Sequence, residues 1–350
     1  MSEATVTPRA GGYSMPAEWE RHEATWISWP RREGQSFPES YDRVLPALVS
    51  MATVIAESEI LRINISGIEQ EREVRGLLSS VAPMGSVEFF NIPTNEPWCR
   101  DHGPIFVTRK TSPSLAVNDF GYNAWGGKYP PFGEDDAVPT VIARHFGYPL
   151  FNPGFILEGG SIDGNGAGTL LTTESCLLNP NRNPTMNRES IEQGLRDYLG
   201  VEQILWLGDG IEGDDTDGHV DDITRFVSRS TVVTAVEPDI TDLNHAPLAA
   251  NLELLRSMRL VDGTSLNVIE MPMPPRIDRQ GLRLPASHAN FYIANASILM
   301  PAFGGDSDQA AAGILSELFP DRKVIPIDCR ELIWGLGAFH CLTQQQPSVF

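Results

Sequence analysis

Basic side chains are scarce. The chain of 350 residues has 26 Lys and Arg against 46 Asp and Glu, a net charge of -20 at pH 7. A nucleic-acid partner is therefore not expected, because phosphate recognition needs a basic face. A cationic ligand suits this charge, although acidic surfaces also serve solubility. Cysteine is scarce too. Cys99, Cys176, Cys329 and Cys341 are too few for a disulfide scaffold in a chain this long. They form no CxxC pair and no Cys/His group of the zinc type, so a structural zinc site is not expected. Long apolar runs are missing as well. None nears the roughly 20 residues that cross a bilayer. Residues 1–10 lack the basic start and apolar stretch of a secretion signal. These absences predict a cytoplasmic protein with reduced thiols and no membrane partner.

What is present reads as a mixed α/β chain. Residues 1–14 are small and polar and are expected to be a flexible leader, followed by a single domain over 15–350. Short β-like runs alternate with helical periodicity throughout. Strands are expected at Thr25–Trp29, Ile60–Ile65, Val87–Ile92, Ile105–Thr108, Leu115–Asp119, Gln203–Leu207, Ile223–Val227, Thr231–Ala235, Leu266–Met271, Ser297–Met300 and Lys323–Pro326. Helices are expected at Tyr41–Glu57, Glu69–Leu78, Asp136–Phe146, Arg188–Leu199, Leu248–Met258 and Asp308–Leu318. Glu158–Ile162 should open a hairpin whose return arm is Gly168–Thr172.

Asp101, Glu158, His219, His288 and Cys341 recur roughly every sixty residues, each near the start of a hairpin. That repeat of pattern suggests mixed supersecondary units around an axis, with the five positions gathered at one central site. Coincidence is the competing reading, since polar residues begin many hairpins.

The individual motifs carry chemistry unequally. Cys341 ends a Gly335-Leu-Gly-Ala-Phe-His approach and precedes a polar tail. It is a candidate nucleophile, or a buried structural cysteine. His219-Val-Asp221 places two polar side chains on one face of a strand, a spacing that also occurs incidentally. Trp98-Cys-Arg-Asp101 joins an aromatic slab to a carboxylate. Its bland reading is a surface Arg100–Asp101 pair beside a core tryptophan. Glu158-Gly-Gly-Ser sets an acid beside two glycines, which permit close backbone approach. One cysteine, one histidine and three acids exceed what a papain-type amidohydrolase needs, where one Asn or Asp orients the histidine. They suit a guanidinium, whose planar fork of five donors matches bidentate carboxylates. A thiolate could attack its central carbon while a histidine protonates the departing nitrogen.

These motifs resemble the agmatine deiminase family, within the guanidino-modifying pentein superfamily that also holds bacterial peptidylarginine deiminases. The resemblance runs from Met15-Pro-Ala-Glu-Trp-Glu20 to Gln344-Gln-Gln-Pro347. It includes Trp98-x-Arg-Asp-x-Gly-Pro104, Asn123-Ala-Trp-Gly-Gly127, Glu158-Gly-Gly-Ser161, Asn181-Arg-Asn-Pro184, Thr216-Asp-Gly-His-Val-Asp221, Asn290-Phe-Tyr292 and His340-Cys-Leu-Thr-Gln-Gln345. It implies a five-fold pseudosymmetric α/β propeller without cofactor or metal. It also implies hydrolysis of agmatine to N-carbamoylputrescine and ammonia through a covalent cysteine adduct, a step of putrescine and polyamine biosynthesis. Cys341 resembles the nucleophile, His219 the general acid/base and Glu158 its partner. Asp101 and Asp221 resemble the guanidinium clamps, and Trp98 a wall of the substrate channel. His288 stands where the family often has tyrosine, and Cys99 lies inside the Trp-x-Arg-Asp motif. Agmatine carries an ammonium at its far end, and Asp215 is the expected acid for it. Deimination of arginine or peptidyl-arginine is the second reading, and a non-catalytic module binding cations the third. The sequence leaves the oligomeric state open, with a homo-oligomer among the possibilities.

Overall fold

The computed structural model describes residues 6–349. Among these residues the strands form five sheets of three or four strands, and one small hairpin at Asp278–Arg279 and Leu282–Arg283. The class is mixed α/β, and one plan recurs. A first strand pairs antiparallel with a second, a helix crosses over, and a third strand adds parallel to the second. The plan is met in Ile105–Thr108, Leu115–Asn118 and Leu150–Phe151 around helix Val138–Phe146. It returns in Asp163–Gly164, Thr169–Thr173 and Gln203–Leu207 around helix Arg188–Leu199. Helix His245–Ser257 serves Thr224–Phe226, Thr231–Val236 and Asn267–Pro272. Helix Asp306–Leu318 serves Tyr292–Ile293, Ser297–Ala302 and Lys323–Asp328.

The remaining sheet closes differently. His22–Ser28 pairs parallel with Ile60–Ile65 across helix Tyr41–Ala56, and Val87–Asn91 extends the sheet. Its antiparallel partner is Thr343–Pro347, from the far end of the chain. That polar segment, expected as a tail, is a buried strand. Its glutamines satisfy polar groups inside the molecule. Gln346 Oε1 accepts from Trp26 Nε1 at 2.9 Å and Arg62 Nη1 at 2.7 Å. Gln345 Oε1 accepts from Arg100 Nη1 at 2.7 Å.

Local chemistry accounts for the helices. Arg188–Leu199 starts at Asn187, whose side chain accepts from Ser190 N while Ser190 Oγ accepts from Asn187 N. This reciprocal cap satisfies otherwise orphaned donors. The helix stops at Gly200, whose φ of 65° favours glycine. A side chain there would also strike Tyr13 O at 2.4 Å, because the N-terminal segment docks on this helix end. Met15 N donates to Leu199 O, and Ser14 exchanges backbone bonds with Thr108. Within the leader expected over 1–14, Pro8 and Tyr13 are buried, Tyr13 on Phe151, while Arg9, Ala10, Gly12 and Ser14 are exposed; residues 1–5 lie outside the described range. Each crossover helix lays an apolar stripe on its own sheet, as Leu248 and Leu255 do against Val232 and Leu266.

Just before the first strand of each sheet stands a polar or sulfur side chain: Asp101, Glu158, Asp221, Asn290 and Cys341. Two expectations need correction here. Gly159–Ser161 is a 3-10 turn, and the strand after it is only Asp163–Gly164. Likewise Val220–Asp222 is a 3-10 turn and not a strand, so His219 and Asp221 share a cavity through a turn instead of a pleat.

Candidate active site

Asp101 sits on the short helix Cys99–His102. Arg100 and Asp101 are both buried, so the surface-pair reading fails. Asp101 Oδ1 accepts from Gly160 N at 3.0 Å, and Oδ2 from Trp125 Nε1 at 3.0 Å. Trp125 reaches it because Ala124 and Trp125 both take φ above +50°, an uncommon state for residues with side chains. The turn is locked when Asn123 Oδ1 accepts from Gly126 N.

His219 is fully buried, with Nδ1 3.7 Å from Asp101 Oδ1 and Nε2 3.9 Å from Glu158 Oε2. Burial opposes its charged form, but Asp101, Cys176 and Glu158 outweigh this and hold the imidazole well above its ordinary pKa. Burial pushes Glu158 up, while His219 and Arg182 bring it below the usual range. Arg182 Nε donates to Glu158 Oε1 at 2.7 Å and Arg182 Nη2 to Thr216 O at 2.7 Å. The Asn181-Arg182 motif therefore steadies the acid beside the histidine. The loop leading to His219 wraps Asp214, whose carboxylate accepts from the backbone N of Thr216, Gly218 and His219.

Cys341 lies in the turn Phe339–Leu342. Asn290 Nδ2 donates to its Sγ at 3.0 Å, and Sγ lies 3.6 Å from Asp221 Oδ2. Asn290 Oδ1 accepts from His340 N and Cys341 N, which fixes which way its amide points. Burial, then Asp221, Asp222 and Asp101, raise the thiol pKa well above normal. Burial also lifts Asp101 to about 6 and Asp222 well above the carboxylate range. Asp221 goes the other way, because His340 and His219 outweigh its burial. A Cβ on Gly160 would lie 2.6 Å from His219 Nδ1, 2.8 Å from Asp101 Oδ1 and 3.1 Å from Asp221 Oδ2. Only glycine leaves that space open.

A narrow cavity of ≈ 80 Å³ opens onto these groups. Trp98, Asp101 and Cys341 line its buried part, while Tyr129, Asp215 and Trp334 are half-buried on its solvent side. Trp98 is pinned over Gly335 and Gly337, where any side chain would strike its ring. No lysine, arginine or histidine is among the described residues lining this cavity.

The three acids Asp101, Glu158 and Asp221, the imidazole and the thiol expected from sequence thus converge, and Trp98 and Asp215 join them. His288 does not. Its Nδ1 faces Pro301 O and its Nε2 lies near Ser307 and Asp308, packed on Phe303. Asn290, two residues on, supplies that unit's side chain. Asn290, Trp125, Arg182, Cys176 and His340 escaped the sequence reading, though four of them lie inside motifs quoted there for resemblance. Glu158, Cys176 and His219 bring ligating atoms within 4.8 Å of one another, as do Asp221, Asp222 and Cys341. The Arg182 guanidinium on Glu158 and the His340 imidazole on Asp221 already occupy these acids, and a metal ion would have to displace them.

The model of the Porphyromonas-type peptidyl-arginine deiminase family matches residues 14–347. The chain belongs to this family. Among its fellow members, the agmatine deiminase of Pseudomonas aeruginosa (strain LESB58) is 38% identical, with 99% of each chain covered. The agmatine deiminase of Ectopseudomonas mendocina is 36% identical, again with 99% of each covered. A solved structure of the agmatine deiminase of Enterococcus faecalis superposes with a TM-score of 0.90 at 31% identity, covering 99% of this chain and 98% of that one.

Proposed function

We propose that this protein is an agmatine deiminase, a hydrolase of guanidino C–N bonds. The observation that carries the choice of substrate is the cavity lining. Acids stand at both its buried and solvent sides, and no cation is there to receive a carboxylate. Agmatine presents a guanidinium at one end and an ammonium at the other, so both ends meet carboxylates. Arginine would bring an α-carboxylate next to Asp215. Peptidyl-arginine needs an open cleft, which this narrow cavity does not offer.

Asp101 and Asp221 clamp the guanidinium nitrogens; as the cation binds, the Cys341 thiol gives its proton to solvent, and the thiolate Sγ attacks the central carbon. His219, held charged by Asp101 and Glu158, gives its proton to the departing nitrogen, which leaves as ammonia. Water then adds to the S-linked amidine carbon, passing a proton back to His219. Cleavage of the C–S bond returns the thiol and releases N-carbamoylputrescine. Trp98 walls the channel, and Asp215, oriented by Tyr129 Oη, receives the ammonium. The five sheets are read as blades of a five-fold pseudosymmetric α/β propeller with this site at its hub, in a single domain over 15–350. The buried, unbonded state of all four cysteines is consistent with a reducing cytoplasm, and no helix is long and apolar enough to cross a membrane.

Incubation with agmatine, arginine and an arginyl peptide, with assay of ureido product and ammonia, tests the reading. Agmatine is expected to be turned over with a kcat/KM at least about 100-fold above the others. Equal use of arginine, or silence on all three, rejects it. In Asp215→Asn the KM for agmatine should rise about tenfold with little change in kcat, since a charged contact remote from the reacting carbon is lost. An unchanged KM rejects that role.

A further inference from the structure

Glu18, in the Met15-Pro-Ala-Glu-Trp-Glu20 motif, takes no part in the chemistry above and does not line the substrate cavity. It is nevertheless buried at a junction of the segments that build the site. Its Oε1 accepts from Ile293 N at 2.8 Å. Its Oε2 accepts from Arg225 Nη2 at 2.9 Å, from His340 Nε2 at 2.8 Å and, more loosely, from Arg100 Nη2 at 3.4 Å. Arg100 precedes Asp101, Arg225 follows Asp221, Ile293 follows Asn290, and His340 precedes Cys341.

His340 extends the connection. Its Nδ1 lies 2.6 Å from Asp221 Oδ2. Burial raises the pKa of Glu18, but Arg225, His340 and Arg100 prevail and hold it well below the usual range; Asp221 is lowered as well. The two ring nitrogens of His340 thus bridge two carboxylates, Nε2 to Glu18 Oε2 and Nδ1 to Asp221 Oδ2. Asp221 Oδ2 is thereby occupied. Asp221 Oδ1 has no hydrogen-bond partner among the described residues although it is buried.

We propose that Glu18 and His340 are positioning residues of the deiminase reaction. Together they hold the Asp221 carboxylate in place for the substrate guanidinium, with Oδ2 fixed by His340 Nδ1 beside Cys341 Sγ and the buried Oδ1 left without a partner among the described residues. The chain Glu18–His340–Asp221 sets one clamp from outside the cavity, and the same histidine fixes the backbone next to the nucleophile. This inference rests on the role given to Asp221 under the proposed function.

Substitutions at His340 separate positioning from mere core filling. Asparagine places its Nδ2 near the imidazole Nδ1 position, facing Asp221. Glutamine places its Nε2 near the imidazole Nε2 position, facing Glu18. In His340→Asn the KM for agmatine should stay within about threefold of native while kcat falls. In His340→Gln and His340→Ala the KM should rise about tenfold or more, as one charge-assisted bond to Asp221 is lost. Glu18→Gln should also raise KM, by less than His340→Ala. Equal KM values in the Asn and Gln variants, or a native KM in His340→Ala, overturn the proposal; a role in packing alone predicts no such order. Should the variants not fold, native protein carrying 15N-histidine gives a second reading. Both ring nitrogens of His340 must report a hydrogen bond to a carboxylate, and a ring nitrogen without one overturns the proposal. Turnover of agmatine by the native enzyme tests the deiminase reading by itself, so the two failures are distinguishable.

Discussion

A thiol ringed by carboxylates is poorly placed to ionise. Asp221 Oδ2 is 3.6 Å from Cys341 Sγ, and Asp222 and Asp101 add to the negative field. One donated bond, from Asn290, works in the other direction. The sulfur is therefore protonated in the free enzyme at neutral pH, and it needs a positive neighbour to become a nucleophile. The substrate brings one. Without a guanidine, alkylation of Cys341 by a neutral reagent should keep accelerating beyond pH 9. With an unreactive guanidine bound, the curve should move to lower pH, because a bound cation stabilises the thiolate. Superimposable curves reject substrate-assisted ionisation. Cys341→Ser should keep its fold and lose turnover. Side chains that stand in a motif of their own and converge on the cavity were legible in the sequence, as at Cys341, His219 and Glu158. Residues acting through a neighbour were not. Nothing in the string links Glu18 with His340 or Asn290 with Cys341, since only folding brings them together.

Element by element, the strongly periodic segments were read most closely. Ile60–Ile65, Ile105–Thr108, Arg188–Leu199 and Gln203–Leu207 have the expected bounds. Misreadings fell where tertiary bonds decide the backbone. Gly159–Ser161 turns because Asp101 binds Gly160 N, and Thr343–Pro347 is buried although it is polar. Gln346 shows what that burial entails. Gln346→Leu would leave Trp26 Nε1 and Arg62 Nη1 without their acceptor, although Arg62 keeps Glu88 and Glu23, so unfolding free energy should drop by about 1–3 kcal/mol in denaturant titrations. A loss under about 0.5 kcal/mol contradicts this account. The Pro93–Pro97 loop gives a pH test. Asp135 Oδ1 accepts from Asn95 N at 2.7 Å and Glu96 N at 3.3 Å. Burial nevertheless raises its pKa to about 8. The unfolded chain loses this proton near pH 4. The folded protein thus holds an extra proton between about pH 4 and 8, and stability falls as pH rises through that window. Asp135→Asn cannot ionise, so its stability relative to native should improve from pH 5 to pH 8. A constant difference refutes the assignment.

Across the molecule, the net charge of -20 and the acidic cavity together favour the approach of cations. For agmatine, a dication, kcat/KM should fall as ionic strength rises from about 0.01 to 0.15 M, over which the screening length contracts from about 30 to 8 Å. A monocationic alkylguanidine should show a shallower slope. Equal slopes would confine the electrostatics to short-range contacts. At this scale the sequence exposed the repeat but not its closure, because the pairing of Thr343–Pro347 with His22–Ser28 joins stretches with no mark of kinship.

That pairing also sets an order of events during synthesis. A growing chain can assemble its acids and its imidazole early, yet it stays chemically silent while Phe339–Pro347 is unmade or still inside the ribosome. Guanidines encountered before that pairing forms are left intact, and reactivity arrives when Thr343–Pro347 zips onto His22–Ser28.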